Sequence, residues 1–435
     1  MFRKLLAIFW GVIFIFSNAS AQFTLSGEYR PRAEYRHGFQ ALPNQNQKAA
    51  TFIDQRARLN LDYKSEDYDI KFVIQDVRVW GSQSQLIIAD GMTTTIHEAW
   101  GKVKFNEWLG VKIGRQEIDL DDQRIFGSVQ WAQQARSHDA AIVQIIKNGI
   151  NIHLGLAYNQ DAPALYGNYY SVPKSYKYFE YLWLNKSFKD IKASLLFLNL
   201  GNQGGSPATN DEKTYFQQTL GGRIVYNKEP ITANASIYGQ FGDMSDGATS
   251  VSGLLYSVDA GYKIDSKHSI LFGYEHISGN DQVNPELNKN LAFNPYFGTN
   301  HKFNGLMDYF YVGNHIGSVG LNDINFGYKG ILTDKFNIGL MTHLFSTDGD
   351  VVDPTDVTGN TAMNKSLGTE IDLTANYKHS SEVSFGFGYS QMFATNTLVE
   401  LRSTGDKGET SNWAWLMITF KPTFFTFDKE KNNAN

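Results

Sequence analysis

The feature that most constrains this chain is an alternation of period two running through almost its whole length. In "FTLSGEYRPRAEYR" (23–36), Phe23, Leu25, Gly27, Tyr29, Pro31, Ala33 and Tyr35 share one parity. Thr24, Ser26, Glu28, Arg30, Arg32, Glu34 and Arg36 share the other. Strand side chains alternate across a sheet, so this is a long strand with one apolar and one charged face. "ARLNLDY" (57–63), "INIHLGLAY" (150–158), "ITANASIYGQF" (231–241), "LGTEIDLTANY" (367–377) and "VSFGFGY" (383–389) repeat the pattern, and no segment of similar length carries a 3.6-residue stripe.

The connections alternate in length. Short ones fall at 64–67, 106–108, 147–149, 188–190, 227–230, 265–268, 332–334 and 379–381. Long ones fall at about 37–50, 81–94, 119–135, 160–177, 201–214, 242–252, 277–318, 346–365 and 394–411. Eight turns and nine loops join about 18 strands, with both chain ends on the turn side. The expected fold is all-β: a transmembrane antiparallel β-barrel with short periplasmic turns and long extracellular loops. A secreted sandwich also alternates, but it has no need of this side-to-side asymmetry. Closure removes the exposed edges of so large a sheet.

The chain opens "MFRKLLAIFWGVIFIFSNASAQ": basic Arg3 and Lys4, a short apolar run, then small residues. This is the layout of a cleaved secretory signal peptide over 1–21, leaving 22–435 as a single barrel domain. No later stretch reaches the ~20 apolar residues of a membrane helix. Absence of Cys removes disulfides, thiol chemistry and a lipid-anchored cysteine. A net charge of −5 argues against nucleic acid as a partner. Trp80, Trp100, Trp108, Tyr158, Trp183, Tyr226, Tyr262, Tyr377 and Trp413 lie near strand ends and suit interfacial girdles.

In a barrel of this size the apolar face meets outer-membrane lipid and the charged face lines a wet lumen. Nine of the arginines after the signal segment precede residue 137, and only Arg223 and Arg402 follow. Arg30, Arg32, Arg56 and Arg58 have inward phase on neighbouring strands. Arginine keeps its charge and grips carboxylates with a planar fork, so a ladder of them suits passage of an anionic chain. A second reading makes them struts, paired with Glu28, Glu34, Asp54, Asp62, Asp76 and Glu98. Arg78 and Arg115 share parity with Ile74 and Ile113, so either a bulge resets those strands or both lie beyond the lipid band. The far wall reads as Asn, Thr, Ser, Tyr and His. The loops at 119–135 and 277–318 either stay outside or fold in as plugs. His138-Asp139 and His97-Glu98 put acid and imidazole on opposite faces, and neither G-x-S-x-G nor HExxH occurs, so no enzyme, cofactor or metal site is expected.

"FIDQRARLNLDY", "IQDVRVWG", "HEAWGKVKF", "VKIGRQEIDLDDQRIFGSVQWAQQARSHDA" and "HKFNGLMDYF" together resemble the alginate export family of outer-membrane porins, most densely over about 52–145. The resemblance implies an 18-stranded porin whose lumen passes an anionic polysaccharide or oligosaccharide. It points to Arg56, Arg58, Asp76, Arg78, Glu98, Arg115, Gln116, Asp122, Arg124 and Arg136, which join Arg30 and Arg32 as candidate selectivity residues. A general small-solute porin is the alternative, and the direction of transport and any periplasmic partner stay open.

Overall fold

The computed structural model describes residues 21–86, 93–206, 212–310, 319–403 and 405–428. The expected signal segment, apart from Ala21, lies outside the described residues, as do parts of the loops expected at 81–94, 201–214 and 277–318. The first nine strands are β1 (Ala21–His37), β2 (Ala50–Ser65), β3 (Tyr68–Val79), β4 (Thr94–Asn106), β5 (Leu109–Gln116), β6 (His138–Lys147), β7 (Ile150–Tyr158), β8 (Tyr178–Ser187) and β9 (Ile191–Gly204). Next come β10 (Lys213–Lys228), β11 (Ile231–Asp243), β12 (Ser250–Lys263), β13 (His268–Ile277), β14 (Leu321–Thr333), β15 (Phe336–Ser346), β16 (Ser366–Lys378) and β17 (Val383–Ala394). The last, β18, runs Ser411–Phe420 and resumes at Thr423–Asp428.

Each strand pairs antiparallel with its sequence neighbour, and β1 closes the sheet by pairing with β18, Arg36 opposite Trp413 and Gln22 opposite Asp428. The result is a closed 18-strand barrel, with the expected turns in place and the longer connections, where described, at the other end. Proline has no N–H for the ladder, and the closing strand breaks at Pro422, whose carbonyl accepts from Gly27 N at 2.9 Å. Among the described residues no helix is long and apolar enough to cross a membrane.

The outer face is apolar: Ile70, Phe72 and Ile74 on β3, Ile113 on β5, Ile224 on β10 and Ile237 on β11 all point away from the lumen. Trp80, Trp108, Tyr158, Tyr262 and Tyr377 stand on this side as expected of girdles. Trp100, Trp183 and Trp413 do not. Trp183 and Trp413 are buried inside the barrel, and Trp100 lies under the Lys112 ammonium on the lumen face. Inside, β6, β8 and β9 present an apolar surface that includes Ile142, Phe179, Tyr181, Leu196, Leu198 and Leu200.

Candidate functional site: a lumen holding two infolded loops

The segment 117–137 between β5 and β6 folds into the barrel, and so does the described part of the 278–320 loop between β13 and β14. They meet each other inside. Phe126 and Phe297 form a parallel bridge, Gly127 N donates to Phe297 O at 2.8 Å, and Thr299 N donates to Gln123 O at 2.9 Å. A Cβ on Gly127 would lie 2.2 Å from Thr299 Oγ1, so only glycine permits this approach. Trp131 stacks on His301 with centroids 4.7 Å apart. Phe126 packs against Phe179 and Tyr181 of β8, giving the loops an aromatic bed.

The arginine wall holds the first loop by its carbonyls. Arg30 and Arg56 stand directly opposite each other on β1 and β2. Arg30 Nη1 donates to Gln130 O at 2.8 Å, and its Nη2 donates to Trp131 O at 3.2 Å and to Gln133 Oε1 at 2.8 Å. Arg32 donates to Trp131 O, Glu34 and Asp54, each within 2.8 Å, with the Trp131 ring 4.2 Å from its guanidinium. Arg56 binds Glu28 at 2.6 Å and reaches Gln133 O at 3.3 Å. Arg58 donates to Gln75 at 3.0 Å and sits 3.7 Å from Glu117. These four guanidinium side chains are 1–8% exposed. Four acids (Glu28, Glu34, Asp54 and Glu117) stand against these four arginines, whose donors are engaged apart from the buried Arg58 Nη2.

The opposite wall, expected to be neutral, carries buried carboxylates. Glu275, Asp323, Glu370 and Asp372 lie on β13, β14 and β16 with His343 of β15 among them, its Nδ1 2.9 Å from Asp323. This wall holds the second loop by its amide donors. Asn304 Nδ2 donates to Glu275 at 2.8 Å and Asp323 at 3.3 Å, Met307 N to Glu370 at 2.8 Å, and Leu306 N to Asp372 at 3.3 Å. Gly305 adopts φ +79°, and an added Cβ would lie 2.6 Å from the Glu370 carboxyl.

The remaining candidates divide among three places. Arg124 pairs with Glu275, lies 3.7 Å from the Phe303 ring and donates to Asn300, so it ties the first loop to the acidic wall. Asp122 pairs with Arg223 of β10 at 2.5 Å, and Arg136 donates to Gly127 O and Gly298 O, stitching the loops together. Glu98 faces the lumen, bound to Lys71 at 2.7 Å. Gln116 is fully buried in the wall, donating to Ala140 O, and presents nothing to the lumen.

Three candidates need correction: Asp76, Arg78 and Arg115 are not lumen residues. Arg78 and Asp76 pair at 2.5 Å on the outer face beside Gln55 and Trp80, and Arg115 pairs with exposed Asp139 at 2.9 Å. The bulge in this region falls on β4 near His97, where the register shifts between Val73 and Ile74, so it resets neither β3 nor β5. Period two along those strands carries both arginines outward with Ile74 and Ile113. In the infolded loop, burial pushes the Asp121 carboxyl above its ordinary range, against hydrogen bonds from Ser194 and from Trp183 Nε1 at 3.0 Å.

A closed barrel with an apolar outside, a polar lumen and loops folded into it defines an outer-membrane porin, a channel rather than an enzyme. The chain belongs to the alginate export family, whose sequence model matches residues 21–410. Its fold is similar to Acinetobacter baumannii OccAB1, with a TM-score of 0.61 at 12% identity over 93% of this chain and 97% of that one. It is also similar to Pseudomonas aeruginosa OccK2, solved in complex with glucuronate, with a TM-score of 0.58 at 11% identity over 93% and 98%. P. aeruginosa OccK5 matches likewise, with a TM-score of 0.58 at 12% identity over 93% and 98%. No curated protein matches the sequence.

Proposed function

We propose that this porin passes an anionic sugar, an acidic oligosaccharide or polysaccharide of the alginate type, by diffusion through its lumen. The observation that carries this reading is the sorting of basic side chains. The lumen face of β1–β5 holds Arg30, Arg32, Arg56, Arg58, Lys71, Lys102, Lys104 and Lys112, opposite a face of buried acids. The arginines, Lys71 and Lys104 are offset by acids on the same face, so the positive charge left to concentrate an anion comes from Lys102 and Lys112, which among the described residues have no carboxylate within salt-bridge distance. Family membership and the glucuronate held by a fold relative support the same substrate class. Residues 1–21 act as a secretory signal peptide, so the N-terminus of the membrane-inserted protein is expected at Gln22.

The test is single-channel recording in planar bilayers under a salt gradient. An anion-selective reversal potential, with current blocked by oligouronates and not by neutral oligosaccharides, supports the proposal. One observation favours a second reading, the general small-solute porin: the four arginines are paired and covered by the 117–137 loop. In that case selectivity is near unity, and Arg58→Ser alters gating without moving the reversal potential.

A further inference from the structure

The arginines of the upper lumen are engaged, but two lysines nearer the short turns are not. Lys102 of β4 and Lys112 of β5 are directly opposite partners in the ladder, within five residues of the turn at 107–108. Both have lumen parity, alternating with outward Val103 and Ile113. Like charges directly opposite on adjacent strands destabilise a sheet. The neighbouring lumen lysines are neutralised: Lys71 binds Glu98 at 2.7 Å, and Lys104 binds Asp69 at 2.7 Å. Among the described residues, neither Lys102 nor Lys112 has a carboxylate within salt-bridge distance or a hydrogen bond from its ammonium. The Lys112 ammonium instead lies 4.2 Å from the centroid of Trp100.

The surroundings supply what a sugar acid needs besides charge. Gly110, Gln144, His153 and Trp183 form one cross-strand row from β5 to β8. Gly110 leaves space for the Lys102 side chain, whose Cε would lie 2.8 Å from an added Cβ. Lys102, Gly110 and Gln144 line a cavity of about 380 Å³ that opens at the turn end. That volume falls within the range of small-molecule sites. Lys104 lines it too, paired with Asp69, and so do Glu66, Asp67 and Glu107, which are exposed to solvent at the turns, so Lys102 supplies the unpaired lumen-side charge.

We infer that Lys102 and Lys112 form an anion subsite near the periplasmic mouth that takes the carboxylate of a uronic acid, with Gln144 and His153 bonding hydroxyls and Trp100 flanking the ring. The inference rests on the anionic-sugar reading above and places its discriminating contact on these lysines rather than on the arginine ladder. The carboxylate adds a counter-charge between two lysines that are ladder partners and carry none of their own within salt-bridge distance. A neutral hexose gains none of this.

The experiment is titration of glucuronate, with glucose as control, added on the turn side of single wild-type channels and of Lys102→Gln, Lys112→Gln and Lys104→Gln. Charge-assisted hydrogen bonds of this kind predict a rise of about tenfold in the half-blocking concentration for Lys102→Gln and for Lys112→Gln. Lys104→Gln, which removes a lysine already paired to an acid, is expected to change it by less than about twofold. Gly110→Ala, which crowds Lys102 without removing charge, is expected to raise it as well. Wild-type block that survives both lysine substitutions, or falls equally with Lys104→Gln, overturns the subsite and leaves the anionic-sugar reading standing. Absence of any block in wild type removes that reading itself.

Discussion

The two infolded loops are held by opposite chemistry. The 117–137 loop offers carbonyl oxygens to arginines on β1 and β2, whereas the 278–320 loop offers amide donors to carboxylates on β13, β14 and β16. Each wall supplies the charge that its loop's backbone lacks. A guanidinium spreads five donors over a fork and gathers several carbonyls at once, so the arginine anchor is broad. A carboxylate oxygen takes one or two donors, so the acidic anchor is a row of single contacts centred on Asn304, Leu306 and Met307. The arginine anchor therefore concentrates loss in single residues, and the acidic anchor depends on backbone shape.

The largest break in this comparison is expected from Arg56→Ala. It removes the main partner of Glu28 and the contact to Gln133 O, leaving Glu28 with Arg30 and Lys421, each 3.9 Å away. Truncating one side of such a pair costs about 3–5 kcal/mol. Urea unfolding of the refolded barrel should reveal it, together with faster proteolysis within 117–137. A loss below about 1 kcal/mol would show that the arginines are not struts.

A smaller effect is expected from Gly305→Ala, which tests the acidic anchor without touching charge. A Cβ at φ +79° and 2.6 Å from the Glu370 carboxyl is strained at about 1–3 kcal/mol. Amide exchange should quicken at Leu306 and Met307 while the Gln130–Gln133 stretch stays protected. Equal loosening of both loops would mean that their shared Phe126–Phe297 contact, not the walls, holds them.

The smallest effect concerns Asp121, held away from both charged walls. Its carboxyl is raised by burial, so the folded state binds the proton more tightly than the unfolded chain. Stability from this group is present at low pH and is lost as pH rises through the folded-state value. Asp121→Asn is expected to match or exceed wild-type stability at pH 7 and to lose that advantage at about pH 4. Thermal melts at the two pH values check this, and an advantage that grows on acidification contradicts it.

The strands, turns and loops were legible in the sequence because lipid on one side and water on the other force period two on every strand. The inward phase of Arg30, Arg32, Arg56 and Arg58 followed, and so did the outward parity of Arg78 and Arg115. What the loops do with those arginines was not legible. Main-chain carbonyls of 130–133 carry no sequence signature, and they reach β1 from about 100 residues away. The acids of the far wall were readable in principle, since Glu275, Asp323 and Glu370 hold the parity opposite to outward Phe272, Ile324 and Ile371. Lys102 and Lys112 have lumen parity as well, but a lysine close to a turn carries the same sequence signature whether it wets an outer surface or lines a lumen.

The apolar bed beneath the loops bears on assembly. Strand β9 is oily on both sides, with Leu195 and Phe197 outward and Leu196, Leu198 and Leu200 inward. Across 195–200 a slip of one residue would carry no charge into lipid, so hydrophobicity alone does not choose the alignment of that stretch. The choice falls to what meets the inner face. The 117–137 loop seats Phe126 against Phe179 and Tyr181 of β8 and, through Asp121, bonds Trp183 of β8 and Ser194 of β9, so a strand set one residue off loses these partners.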